Sequence, residues 1–192
     1  MSDTVSKTRE FVLSQCAQHK KNANYGHYDY WNDHIKRVVH HAVALATQTG
    51  ADAEIVELDA LLHDISMPAE YGERSEHNIY SAEMTEKLLM ELNYPQHKIN
   101  LVKNCVINHS GQNHHLRETP EERCVADADA LAHFDRIPSL FSLAYSICGM
   151  GLEEGREYVR EKLQGDYDGL SEESKRIYQA KFETIMATIF VD

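Results

Sequence analysis

Apolar and polar residues along this chain follow the three-to-four-residue period of an α-helix, and no alternating run of Val, Ile, Thr and aromatic residues marks a strand. The pattern predicts helices at roughly 4–21, 31–49, 52–65, 77–92, 95–109, 120–133, 136–149, 153–164 and 171–190. Only four prolines and nine glycines punctuate the sequence, so most connections are short. Several starts carry explicit signals. Thr119-Pro120-Glu121-Glu122 joins an N-cap, a proline at the first helical position and a glutamate three residues on, the makings of a capping box. Asp52 suits the cap of the third helix, Ser171 that of the last, and Pro95 opens the fifth. The expectation is an all-α helical bundle, one domain over residues 1–192. Its core falls at about 30–135, with the helices of 136–192 packed on it.

Polar residues interrupt the apolar stripes at a few telling places. At helical spacing His34 aligns with Val38, His41 and Leu45, and His77 with Ser81, Met84 and Leu88. His109 aligns with Val102 and Val106, and Asp129 with Val125 and Ala132. His63 and Asp64 stand together at the end of the apolar run Leu58-Asp59-Ala60-Leu61-Leu62. Taken alone, that pair also reads as a histidine favoured by the helix macrodipole, followed by a loop aspartate. Adjacent residues on a helix point about 100° apart, so both can grip one ion only where a helix end meets its neighbours around a shared pocket. A buried unpaired carboxylate or imidazole costs several kcal/mol unless compensated, and one divalent cation would compensate all of these together. His34, His63, Asp64 and Asp129 are the expected metal set. Two imidazoles and two carboxylates suit Mn, Fe, Co, Ni or Zn, with Mg also possible, and lack the thiolates of a structural zinc. Four protein donors leave positions open for water and substrate on a six-coordinate ion, which then serves as a Lewis acid toward a phosphoryl oxygen.

Composition narrows the partners. A formal net charge of −12, from 31 acids against 19 bases, argues against a nucleic-acid polymer or an anionic membrane. A small phosphorylated substrate must then meet local positive charge, and a metal is its natural source. At 192 residues the chain can bury about 70% of its unfolded surface. The four cysteines, Cys16, Cys105, Cys124 and Cys148, lack zinc-knuckle spacing and read as reduced, partly buried thiols within helices. Neither an apolar leader nor a spanning segment is apparent, so a cytoplasmic, soluble protein is expected.

The residues around these ligands resemble a known family. Asn32-Asp33-His34-Ile35-Lys36-Arg37-Val38, then Leu61-Leu62-His63-Asp64, then Val125-Ala126-Asp127-Ala128-Asp129, are similar in order and setting to the HD-domain metal-dependent phosphohydrolases over residues 30–135. The small single-domain bacterial members come nearest, through His77-Asn78-Ile79-Tyr80-Ser81-Ala82, His109-Ser110 and the Asp-Ala-Asp-x-Leu segment. The resemblance implies an HD-type all-α fold and a divalent metal on His34, His63, Asp64 and Asp129. It further implies hydrolysis of nucleotides or other phosphate esters. Through binuclear members it implies a second ion, or a phosphate contact, at His77 and His109, with Asp64 bridging. Asp64 and His109 are then the catalytic candidates. After the acidic segment this chain departs from those relatives with Ala130-Leu131-Ala132-His133-Phe134, where His133 stands one turn beyond Asp129 as a partner for it or as a surface histidine. Met67 occupies the place where some nucleotidase-like members carry a glutamate.

Arg37, Lys103 and Arg117 are candidate phosphate contacts, with Arg123 a further cation and an internal ion pair the other reading of Arg37. The loops at about 66–76 and 110–119 flank the ligands, which makes Glu70, Tyr71, Glu73, Arg74, His114 and His115 candidates too. The aromatic segment from Asn22 to Trp31 reads as a lid or a packed turn. Two other classes stay open: a di-iron HD-type oxygenase using the same six residues, and a non-catalytic module binding metal and nucleotide. The last helix, with Ile177, Phe182, Ile185, Ile189 and Phe190, closes the core of a monomer or meets a second copy in a homodimer.

Overall fold

The computed structural model describes residues 2–21, 28–110 and 115–190; the aromatic segment before Tyr28 and the candidate His114 lie outside them. Among the described residues there are nine α-helices and no strand. In order they are α1 (Asp3–Lys21), α2 (Lys36–Thr49), α3 (Ala53–Leu62), α4 (His77–Glu91), α5 (Gln96–Asn108), α6 (Pro120–Asp135), α7 (Ile137–Ser142), α8 (Leu152–Asp168) and α9 (Glu172–Ile189). The all-α bundle expected from the sequence is the fold observed.

The caps work as their chemistry dictates. Thr119 Oγ1 accepts from the Glu122 amide at 3.2 Å while the Glu122 carboxylate accepts from the Thr119 and Glu118 amides at 2.8 and 2.7 Å, closing the capping box on α6. Asp52 accepts from the Glu54 and Ile55 amides and starts α3. Gly50, at φ 75°, ends α2 in the left-handed region, where a Cβ would be strained.

α2 lies along α6 and against α3, and α4 pairs with α5. Ala42 and Ala46 on α2, with Ala128 and Ala132 on α6, are buried and small, which lets two backbones approach closely. Leu58, Leu61 and Leu62 of α3 are fully buried and fill the centre, each contributing about 1.5–3 kcal/mol by removal from water.

Three boundaries differ from the sequence reading. The helix expected at 31–49 begins as a wide π turn, Tyr30–Ile35, before α2. Asp29 caps it by accepting from the Asn32 amide at 3.1 Å, and Arg136 pins it through two bonds to Asp33, at 3.0 and 2.5 Å. The expected helix at 136–149 is instead α7 followed by a second π turn, Leu143–Ile147, which ends before Gly149 at φ 66°. α8 runs to Asp168, past Gly165, because the i,i+4 pairs Lys162–Asp166 (2.6 Å) and Gln164–Asp168 (2.9 Å) support its last turn. Cys16, Cys105 and Cys124 are buried and free as thiols, whereas Cys148 is exposed just past the second π turn.

Asp127 shows how the C-terminal helices attach. Its buried carboxylate accepts from the Ser171 amide (3.0 Å), the Ser171 hydroxyl and the Ser174 hydroxyl (2.6 Å), so an α6 side chain holds the start of α9. Hydrogen bonds to a charged group contribute about 1.5–3 kcal/mol each. Asp127→Ala is therefore expected to lower stability by about 3 kcal/mol. Equilibrium urea unfolding checks this, and a midpoint equal to wild type would show that the cluster holds nothing.

Candidate metal centre

Six side chains from five places along the chain converge on one end of the bundle. His34 comes from the first π turn, His63 caps the C-terminus of α3, and Asp64 follows in the turn. His77 opens α4, His109 follows the last residue of α5, and Asp129 lies within α6.

The distances fall into two groups that share Asp64. His34 Nε2 lies 3.0 Å from His63 Nε2, 3.1 Å from Asp129 Oδ1 and 3.5 Å from Asp64 Oδ2. His63 Nε2 lies 3.6 Å from Asp64 Oδ2 and 3.9 Å from Asp129 Oδ1. The other oxygen of Asp64, Oδ1, is 3.4 Å from His77 Nε2 and 3.5 Å from His109 Nε2, and those two nitrogens are 3.3 Å apart. Two donors each about 2.1 Å from one ion lie roughly 3.0 Å apart at a right angle and roughly 4.2 Å apart when opposite. Every one of these distances falls in that interval.

The donor chemistry fits an ion as well. His63 Nδ1 donates to the Ala60 carbonyl at 3.0 Å, His77 Nδ1 to that of Arg74 at 3.0 Å and His109 Nδ1 to that of Val106 at 2.6 Å. A carbonyl only accepts, so each ring carries its proton on Nδ1 and turns the Nε2 lone pair toward its neighbours. Lone pairs facing one another repel unless positive charge lies between them. Asp64 Oδ1 makes the same demand, being buried without a hydrogen-bond partner.

Titration follows this demand. Burial alone would raise Asp64 and Asp129, yet the surrounding imidazoles, with Lys162 near Asp129, hold both carboxyls well below their usual range. Burial pushes His63 down to about 4 and keeps it neutral. His109 goes the other way: burial opposes its charge, but Asp64 and Asp129 lift it to about 9, and Asp129 and Asp64 raise His34 likewise. Protons thus take up the role a cation would fill.

The centre opens on a cavity of about 940 Å³. Its far wall is α8, through Tyr158, Glu161, Lys162 and Asp166, and its rim carries Tyr28, Tyr30, Glu73 and Arg74. Among the sequence candidates, Arg117 also lines the cavity, but its guanidinium donates to the carbonyls of Asn108, His109, Ser110 and Gly169 and so ties α5 to the α8–α9 turn. Lys103 is off the wall, paired with Glu86 at 2.6 Å. Arg37 and His115 are off it too. Glu70 pairs with His19 at 3.1 Å and Tyr71 bonds to Glu83 at 3.2 Å, while Glu73 and Arg74 reach the cavity. Sequence reasoning missed α8 entirely as a wall. Its one signal was the spacing of Lys162 and Asp166, which reads equally well as a solvated face.

A family model for the HD domain matches residues 32–133, more than half of the chain. No curated protein matches it. Among solved structures, YpgQ of Bacillus subtilis aligns with a TM-score of 0.70 at 20% identity, covering 97% of this chain and 92% of that one. YpgQ in complex with ADP aligns at 0.67 and 21% identity, covering 97% and 94%. An HD-superfamily hydrolase of Bacillus thuringiensis aligns at 0.58 and 20% identity, covering 96% of this chain and all (100%) of that one. At such identities the likeness is one of fold.

Proposed function

The chain belongs to the HD domain family, and from that premise we propose that it is a divalent-metal-dependent phosphohydrolase acting on a nucleotide or another small phosphate ester. The observation that carries this reading is the sharing of Asp64, whose two carboxylate oxygens face separate pairs of imidazole nitrogens at 3.4–3.6 Å, on the wall of a cavity of nucleotide size. His34, His63, Asp64 and Asp129 would hold one ion, and His77 and His109, with Asp64, a second. Bound there, divalent ions supply Lewis acidity toward phosphoryl oxygens and a means of activating water near neutral pH.

The chain's own residues supply the rest. The carbonyl bonds on His63, His77 and His109 fix ring orientation before any ligand arrives, so no reorganisation is required on binding. Asp64, held ionised, keeps the two groups in register. Arg74 faces the cavity and offers positive charge to an anionic substrate in a protein that is otherwise strongly acidic, while Lys162 on the same wall is paired with Asp166. Tyr28, Tyr30 and Tyr158 give flat apolar surface for a base. Met67 on the same wall provides no carboxylate; where the second position holds no ion, His77 and His109 would instead contact the substrate phosphate, with His109 a proton donor to the leaving group. The ADP complex of the structurally similar YpgQ supports a nucleotide as the first ligand to try.

The test is a panel of nucleoside mono-, di- and triphosphates with generic mono- and diesters, each assayed with Mn²⁺, Mg²⁺, Co²⁺ and Ni²⁺. Release of phosphate or pyrophosphate that chelation abolishes is expected. Fully metallated protein that releases neither from any substrate would overturn the hydrolase reading. Oxygen consumption by the iron form would favour the oxygenase instead.

A further inference from the structure

His133 lies one turn beyond Asp129 on α6, at the edge of the first donor group. Its ring is parallel to that of His34, 12° apart with centroids separated by 5.1 Å. Its Nε2 points at Asp129 Oδ1 from 3.9 Å. That separation is too long for a hydrogen bond and lies inside the interval for two donors on one ion. One ligand atom each from His34, Asp129 and His133 falls within 4.8 Å of the others.

The far side of the ring is what separates a ligand from a bystander. His133 Nδ1 donates to Asp166 Oδ2 at 2.9 Å, and Asp166 Oδ1 accepts from Lys162 Nζ at 2.6 Å. A carboxylate behind an imidazole fixes the proton on Nδ1, aims the Nε2 lone pair forward and makes that nitrogen a better donor. His63, His77 and His109 lean on carbonyls, whereas His133 has a carboxylate behind it. Asp166 is in turn paired with Lys162 on the same helix. Lys162 balances the charge. With its Nδ1 proton directed at Asp166, the His133 ring turns its Nε2 lone pair toward Asp129 Oδ1 across 3.9 Å.

We propose that His133 is a further protein ligand of the first metal position, with Asp166 and Lys162 on α8 as the residues that position it. This rests on the metal-centre reading given above and extends it. α8 then has two roles, because the helix that forms the far wall of the cavity also steers the centre. A first ion with five protein donors keeps fewer places for water and substrate than one with four, which moves substrate binding toward the His77 and His109 side.

The test uses the full-length protein stripped of metal and titrated with Co²⁺, whose visible d–d bands report donor number and geometry. His133→Phe keeps the ring volume and removes the donor, and Asp166→Asn keeps the ring and weakens its support. His133→Phe should weaken Co²⁺ binding by about 100-fold or more and change the bands. Asp166→Asn should weaken it by about 10–100-fold with the bands in place. Wild-type affinity and unchanged bands in His133→Phe would overturn the proposal. If that variant fails to fold by circular dichroism, Asp166→Asn decides: weakened binding supports the proposal and wild-type affinity overturns it. Wild-type protein that binds no Co²⁺ overturns the proposal together with the functional reading; binding unaffected by the substitutions overturns the proposal alone.

Discussion

Asp64→Asn should reduce turnover by about a thousand-fold or more, equivalent to about 4 kcal/mol of transition-state stabilisation. Asp64 Oδ2 faces His34 and His63, and its Oδ1 faces His77 and His109, so a single substitution strikes both donor groups. An amide matches the carboxylate in shape but brings no charge and presents an N–H₂ to one of the two groups, where only acceptors are wanted. Stability provides a second, independent readout. Metal bound only by the native state at a thousand times its Kd adds about 4.1 kcal/mol, and each kcal/mol moves the midpoint of a protein this size by about 2–4 °C. Wild-type protein should therefore melt roughly 8–16 °C higher with metal than after chelation. Asp64→Asn should lose most of that difference. Scanning calorimetry with and without chelator, beside steady-state kinetics, measures both. Asp64→Asn retaining a full metal-dependent shift would show that Asp64 is not a shared ligand.

Asp59→Asn should raise stability at neutral pH, by an amount that vanishes in acid. Asp59 is fully buried on α3, one turn before His63, and neither of its carboxylate oxygens has a hydrogen-bond partner. Burial raises its pKa well above the ordinary 3.8; the charges of Glu122 and Asp129 add to this and that of His109 opposes it. The unfolded chain gives up this proton above pH 3.8, whereas the folded protein keeps it. Folding is then disfavoured as pH rises, by about 1.4 kcal/mol per unit until the folded value is passed. Below pH 3.8 both states hold the proton and the effect is absent. Asparagine does not titrate and is free of this term. Urea midpoints of the two proteins should nearly coincide near pH 3 and diverge as pH rises to about 7, with the variant the more stable. Parallel curves over that span would place an ionised, compensated carboxylate at this position.

Much of the centre was legible because burial and polarity conflict in sequence as they do in space. His34, His63, His109 and Asp129 sit on or beside apolar stripes, and a helical period places them inside before any coordinates are known. His77 was found the same way, and the capping box on α6 by local chemistry alone. Sites that depend on distant contacts stayed hidden. Lys162 and Asp166 form an i,i+4 pair indistinguishable from a surface pair until α8 lies against α6. Arg117 looked like an anion contact because it is a loop cation near the ligands; four carbonyls brought together by the fold take up its donors. Lys103 looked alike and is neutralised by Glu86 on the neighbouring helix. The π turns escaped for a different reason. Their extra residue per turn leaves the apolar pattern almost unaltered, and the Arg136–Asp33 pair that anchors the first spans 103 positions.

The donors at the centre run from His34 to Asp129 on five separate stretches of chain, His63 and Asp64 being neighbours. No fragment ending before Asp129 carries the whole set, so an ion could draw the donors together only once the chain has been made past that point in α6. An ion bound there would act as a latch across elements far apart in sequence. Its release would then be an early sign that the helices had begun to part.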